Sequence, residues 1–170
     1  MKKIFSLFWL LRFAFRRNGR CALPVSCFEV VSYAVTVRSA TGKDGNICGS
    51  ESEAIVKVRV GKAEMHEVSN GDGPVHALDS ALRKALLPHF PRLKSVDLKD
   101  YRVRILHDHE GTATSVVVSV SFLDSNNLTT FQIRETSTNV VDASFYAVVN
   151  GLSHAIAKEH AGRAADSIAG

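Results

Sequence analysis

His107-Asp108-His109-Glu110 sets four side chains able to bind metal or move protons in one short run. A metal centre needs three or four ligands converging from defined directions, and adjacent residues of one turn do not supply that alone. The run stands between two strand-like segments and ends at Gly111, which is the composition of a solvated turn. His66, His76, His89, His154 and His160 are scattered, and no H-E-x-x-H occurs. The G-x-S-x-G elbow and the G-x-x-x-x-G-K-[ST] phosphate loop are also missing. No catalytic residue, metal ligand or cofactor is assigned.

Two other stretches carry binding chemistry. The first reads Ser69-Asn70-Gly71-Asp72-Gly73-Pro74-Val75, and the second Ser137-Thr138-Asn139-Val140-Val141. Pro74 suits the first turn of a helix, where its missing N–H costs nothing. A helix N-terminus presents unpaired N–H groups and partial positive charge, a receptor for a carboxylate. Gly71 and Gly73 would let a ligand approach the backbone. The other reading is that Asp72 and Asn139 cap their helices and the glycines turn the chain.

The elements that position these loops are written twice. FEVVSYAVTVR, from Phe28, aligns with VDLKDYRVRIL, from Val96, so that Tyr33 falls on Tyr101, Val35 on Val103 and Val37 on Ile105. Further strand-like runs at 54–60 and 64–68 match others at 114–122 and 130–135. Helical periodicity follows in each copy, through Val75, Leu78, Leu82, Ala85 and Leu86, then Val141, Phe145, Val148, Leu152 and Ile156. Ala77 aligns with Ala143, Ala81 with Ala147 and Leu86 with Leu152, two residues out of step with the opening strands. Period two giving way to period 3.6 predicts an α+β domain of two pseudo-symmetric βββα units, an antiparallel sheet covered by helices with one buried face each. The units are placed at 28–90 and 96–160 within a domain spanning 24–162, followed by a tail at 163–170.

Charge separates this domain from what precedes it. Of 21 basic residues, Lys2, Lys3, Arg12, Arg16, Arg17 and Arg20 lie before Pro24 with no acidic residue among them, so the remainder is slightly acidic. The high pI of about 9.1 therefore belongs to the leader and does not point to nucleic acid. Lys57, Arg59, Arg102 and Arg104 alternate along strands, as on a solvated sheet face. The leader, residues 1–23, has an apolar run from Ile4 to Leu11, but arginines interrupt it and no A-x-A cleavage site appears. The run falls short of the ~20 residues that span a bilayer. A basic amphipathic helix on a membrane is a second option, but the expectation is a segment outside the fold without membrane contact. Cys21, Cys27 and Cys48 show no C-x-x-C spacing and read as free thiols of a cytoplasmic protein.

The phrases NGDGPVHALDSALRKAL, DYRVRIL followed by Gly111-Thr112-Ala113, and STNVVDASFYAVVNGL occur in that order. With the duplication, they resemble the C-terminal regulatory domain of the 2-isopropylmalate synthase and citramalate synthase family over residues 28–158. The resemblance implies a dimerising domain that binds leucine or isoleucine as a feedback inhibitor near the subunit interface. It places the contacts at Gly71, Asp72, Gly73, Pro74, Val75 and Ala77, with Ser137, Asn139 and Ala143 as the pseudo-symmetric counterpart.

Two departures from the family pattern stand out. Asp72 replaces the usual Asn of Gly-Asn-Gly-Pro, setting a negative charge beside the expected carboxylate. Arg134-Glu135-Thr136 replaces a small glycine-containing turn before the second helix. The family's catalytic barrel of some 250 residues has no counterpart in this sequence, so no synthase activity is expected of it. The expected partners are leucine or isoleucine, a second copy of the chain, and a full-length or separate synthase chain. A ligand-free dimerisation scaffold or inert fragment is the alternative.

Overall fold

Side chains that alternate in burial mark the strands, and each third strand is followed by a helix. The structure, a computed structural model, describes residues 27–41, 47–106 and 114–169. Unit one comprises β1 (Glu29–Thr41), β2 (Ile47–Val60), β3 (Ala63–Gly71) and α1 (Pro74–Leu86). A 3-10 turn at Pro91–Ser95 leads into unit two, with β4 (Val96–Ile105), β5 (Val116–Asp124), β6 (Thr129–Ser137) and α2 (Val140–Ala169). The strands form two antiparallel sheets, β1-β2-β3 and β4-β5-β6. The expected α+β fold of two βββα units is present, as a pair of three-stranded sheets. The run His107 to Glu110 and the leader lie outside the described residues.

Strand register carries the repeat. Tyr33 pairs with Val56 and Tyr101 with Val120, while Gly71 pairs with Ser52 and Ser137 with Val116. Each first strand also carries a bulge, at Val31 and at Lys99. By these pairings the first hairpin of unit one is the longer of the two, and its second hairpin the shorter. These opposite changes leave the small net drift between strands and helices.

The central strands form the floor of the core. Ala54, Val56 and Val58 of β2 and Val118, Val120 and Phe122 of β5 are all fully buried. Above them α1 buries one stripe, Ala77, Leu78, Ala81, Leu82, Ala85 and Leu86. Its basic last turn, Arg83 and Lys84, complements the helix dipole.

The second helix departs from the expected single buried face. Ala143, Ser144, Phe145, Ala147, Val148, Val149, Leu152, Ser153, Ala155 and Ile156 are all buried. This happens because α2 packs on β5, β6 and α1, and also meets Tyr33 of β1, whose ring centroid lies 4.1 Å from that of Phe145. The stretch Val140–Glu159 is long and apolar enough in composition to cross a membrane, yet over half of it is buried within the fold, as in a core helix. Gly151 permits its closest contact, since a Cβ there would lie 2.2 Å from the Phe122 ring.

Between the units, Arg92 donates to the buried Asp124 carboxylate at 2.6 Å. Asn126 N and Asn127 Nδ2 also donate to Asp124, fixing the β5–β6 turn. Burial opposes ionisation of Asp124, but Arg92 and the turn's N–H donors outweigh it and hold the carboxyl below its ordinary range.

Candidate functional site

The two helix N-termini are built differently, although the repeat makes them equivalent. At α1, Gly73 is the N-cap residue with extended backbone, no side chain bonds the first turn, and Pro74 opens the helix. The Gly73 carbonyl accepts the first helical bond from Ala77 N at 2.9 Å. The N–H groups of Val75 and His76 therefore have no capping side chain.

The two glycines of this loop do separate jobs. A Cβ on Gly71 would lie 2.5 Å from Ala77 N, so the missing side chain lets the end of β3 pack against the first turn of α1. The space beside Gly73 is open, with nothing within 4 Å of where a Cβ would stand. Access to the helix terminus thus runs past Gly73, and Gly71 serves packing. Asp72 does not cap the helix; its side chain is fully exposed, 3.7 Å from the His76 ring. Asp72 N donates to His76 Nδ1 at 3.3 Å, which requires an unprotonated Nδ1.

At α2 the same position is closed by the chain itself. Asn139 Oδ1 accepts from Val141 N at 2.9 Å and Asp142 N at 3.4 Å, while Ser137 Oγ accepts from Asn139 N at 3.1 Å. Asp142 adds a negative charge to the first turn and accepts a hydrogen bond from the Tyr33 hydroxyl. Ser144 Oγ donates to Val140 O at 2.5 Å and lies 2.6 Å from the Tyr101 hydroxyl. With its one proton on Val140 O, Ser144 accepts from Tyr101.

The structure thus places Gly71, Asp72, Gly73, Pro74 and Val75 on one loop at α1, and Ser137 and Asn139 at α2. Ala77 and Ala143 are buried beneath those loops, so only their backbone is near either terminus. Glu135, which replaces the small turn expected before α2, accepts from Asn150 Nδ2 at 2.5 Å and ties β6 to the helix. Sequence reasoning missed Tyr33, Tyr101, Asp142 and Ser144 as parts of this region. The alignment of Tyr33 with Tyr101 on the core-facing side of both first strands was the available signal, since a tyrosine ring packed against a core takes a partner for its hydroxyl.

Other chemistry is sparse. Among the described residues no three His, Cys, Asp or Glu side chains come together as metal ligands. An open depression of about 380 Å³ is lined by Cys27, Phe28, Glu29, Arg59 and Gly61, at the end of β3 away from α1. Burial pushes the Cys27 thiol up, which opposes thiolate reactivity.

The LeuA allosteric (dimerisation) domain family matches residues 21–156, taking in both βββα units. Among curated proteins, the chain is 42% identical to an (R)-citramalate synthase of Geobacter sulfurreducens over 107 residues, covering 63% of this chain and 20% of that protein. It is 38% identical to an (R)-citramalate synthase of Aquifex aeolicus over 132 residues, 78% of this chain and 24% of the relative. A third such synthase, from Streptomyces coelicolor, is 34% identical over 135 residues, with the same two coverages. The chain therefore spans about a quarter of the length of the curated relatives it matches or less. With the duplicated fold, the paired helix termini and a match across both units, the chain belongs to the LeuA allosteric (dimerisation) domain family.

Proposed function

We propose that this chain is a regulatory domain that dimerises and binds a branched-chain amino acid, leucine or isoleucine, and that it performs no acyl transfer itself. The observation that carries the reading is the uncapped N-terminus of α1 in a domain of this family. The ligand's α-carboxylate is received by the N–H groups of the first turn, reached past Gly73. Asp72 and loop carbonyls receive the ammonium group, and the branched side chain lies against Val75. Asn139 and Asp142 already satisfy α2, so each chain binds one amino acid, at α1.

The domain works in the cytoplasm, as a homodimer or within dimers of a citramalate or 2-isopropylmalate synthase. There it couples amino-acid level to branched-chain biosynthesis, and a coupling of ~1–3 kcal/mol would change synthase inhibition measurably. A ligand-free scaffold is the second reading, favoured by the exposed negative charge of Asp72 at the loop.

Thermal melts separate the two. A sensor is stabilised by leucine or isoleucine, by about 2.7 kcal/mol at a hundredfold excess over Kd, and not by near isosteres such as norleucine. A scaffold melts at the same temperature in every amino acid.

A further inference from the structure

The outward face of the second sheet carries arginines that the repeat does not require. Burial alternates along β5 and β6, so Ser119 and Arg134 point away from the helices. The register sets Arg102 opposite Ser119, and Ser119 opposite Arg134, in one row across the sheet. Arg104 stands two residues further along β4 on the same face. With Tyr33 equivalent to Tyr101 and Gly71 to Ser137, the matching positions of the three arginines in unit one are Ala34, Thr36 and Val68. The same fold is therefore built without charge at those places.

The two outer faces also handle charge differently. In unit one Lys57 lies 2.8 Å from Glu64, Arg59 lies 3.0 Å from Glu29 and 2.9 Å from Glu64, and Arg38 lies 3.9 Å from Glu53. In unit two Arg102 meets Asp100 at 2.8 Å yet stays 77% exposed, and Arg134 Nε donates to Gln132 Oε1 at 3.2 Å. Neither Arg104 nor Arg134 has a carboxylate within ion-pair reach among the described residues. A guanidinium fork takes a carboxylate through two parallel hydrogen bonds. The small Ser119 and Ser121 lower the middle of this face, and the half-buried Val117 and Leu123 make its ends apolar. Arg102 and Arg134 sit on strands about 10 Å apart, close to the diameter of a helix with its side chains, roughly 10–12 Å.

We propose that this face docks an acidic amphipathic helix of another protein. The helix lies along β5, with its apolar stripe on Val117 and Leu123 and its carboxylates on Arg102, Arg104 and Arg134. A flat face with arginines on both margins suits a macromolecular partner, since a small ligand is held in a cleft or cavity. A second copy of this chain does not supply the helix. The one acid of α1, Asp79, is already bonded to Arg83, and α2 is spent on its own core. Docking here is independent of amino-acid binding at α1.

Nuclear magnetic resonance titration of the full chain tests this. The probes are a designed helix of about 20 residues with a leucine stripe flanked by glutamates, the same helix with glutamines in their place, and inorganic polyphosphate. The expected result is saturable shifts of the Arg102, Ser119 and Arg134 amides with the glutamate helix, and weaker ones with the glutamine helix. Its Kd should rise at least about tenfold in the double variant Arg102→Ser, Arg134→Ser and stay unchanged in Arg38→Ser on the other sheet. Unit one shows that uncharged residues fold at these rows, and far-UV circular dichroism verifies the variants. No shifts, shifts confined to the leader or to unit one, or a wild-type Kd in the double variant would overturn the assignment of this face. Polyphosphate shifting the same amides at lower concentration than the glutamate helix would overturn an acidic helix as the partner, in favour of a phosphate-bearing one.

Discussion

The Tyr33 hydroxyl donates to the Asp142 carboxylate, joining the first strand of one repeat to the first helical turn of the other. Its repeat partner Tyr101 bonds Ser144, one half-turn further along the same helix. Both tyrosines therefore serve α2, and the first turn of α1 is left without either. This break in symmetry underlies the account of one closed and one open helix terminus.

Removing the Tyr33 hydroxyl should loosen the two units from each other. A hydrogen bond to a charged group contributes about 1.5–3 kcal/mol, and Tyr33→Phe is expected to lie near the lower end because the pair is only partly buried. Urea denaturation of Tyr33→Phe, Asp142→Asn and the double variant gives the coupling as a thermodynamic cycle. Additive effects would mean that the two groups do not interact in solution.

Glycine substitutions should divide by the space available. Gly151→Ala drives a methyl into the Phe122 ring and should cost at least about 1–3 kcal/mol by overpacking. Gly73→Ala meets open space at an extended backbone and should change stability by less than ~1 kcal/mol. Thermal or urea melts of the pair decide this.

Asp124 sets an acid dependence. Its carboxyl titrates below the ordinary range in the folded protein, so its contribution is fully present above the unfolded pKa of about 3.9 and is lost as pH falls through the folded value. Asp124→Asn should cost about 3 kcal/mol at pH 7 by leaving Arg92 without its carboxylate. The difference from wild type should shrink once pH drops below 4. A difference constant down to pH 3 would show that the ion pair does not stabilise the fold.

Capping α1 from within should separate stability from binding. Gly73→Asp supplies the carboxylate that the helix terminus lacks, changing stability by only a few tenths of a kcal/mol, and should abolish amino-acid binding by occupying the same N–H groups. Asn139→Ala at the other helix should cost about 1 kcal/mol of stability and leave binding intact. Binding lost in the second variant alone would place the ligand at α2.

The duplication, the strand periods and the helix starts were legible because each follows from local pattern: alternation in AIVKVRV, the helical steps of Leu78 and Leu82, and Pro74 at a first turn. The depth at which α2 is buried was not, since Ala143, Ser144 and Ser153 face elements brought near only by tertiary packing. The loops were located from sequence, but not their inequality. Asp72 and Asn139 look equally fit to cap, and only the geometry shows Asn139 bonded to its helix and Asp72 turned to solvent. Gly71 and Gly73 likewise read alike until the backbone of Ala77 is seen against one of them.

Calorimetric titration of the chain with isoleucine, leucine and valine, with its oligomeric state checked in the same buffer, tests the central claim most directly. Saturable heat with leucine or isoleucine, one amino acid per chain, is expected from a dimer, and none in Gly73→Asp. No heat from a well-folded dimer with any of the three would contradict it, leaving the chain a dimerisation scaffold.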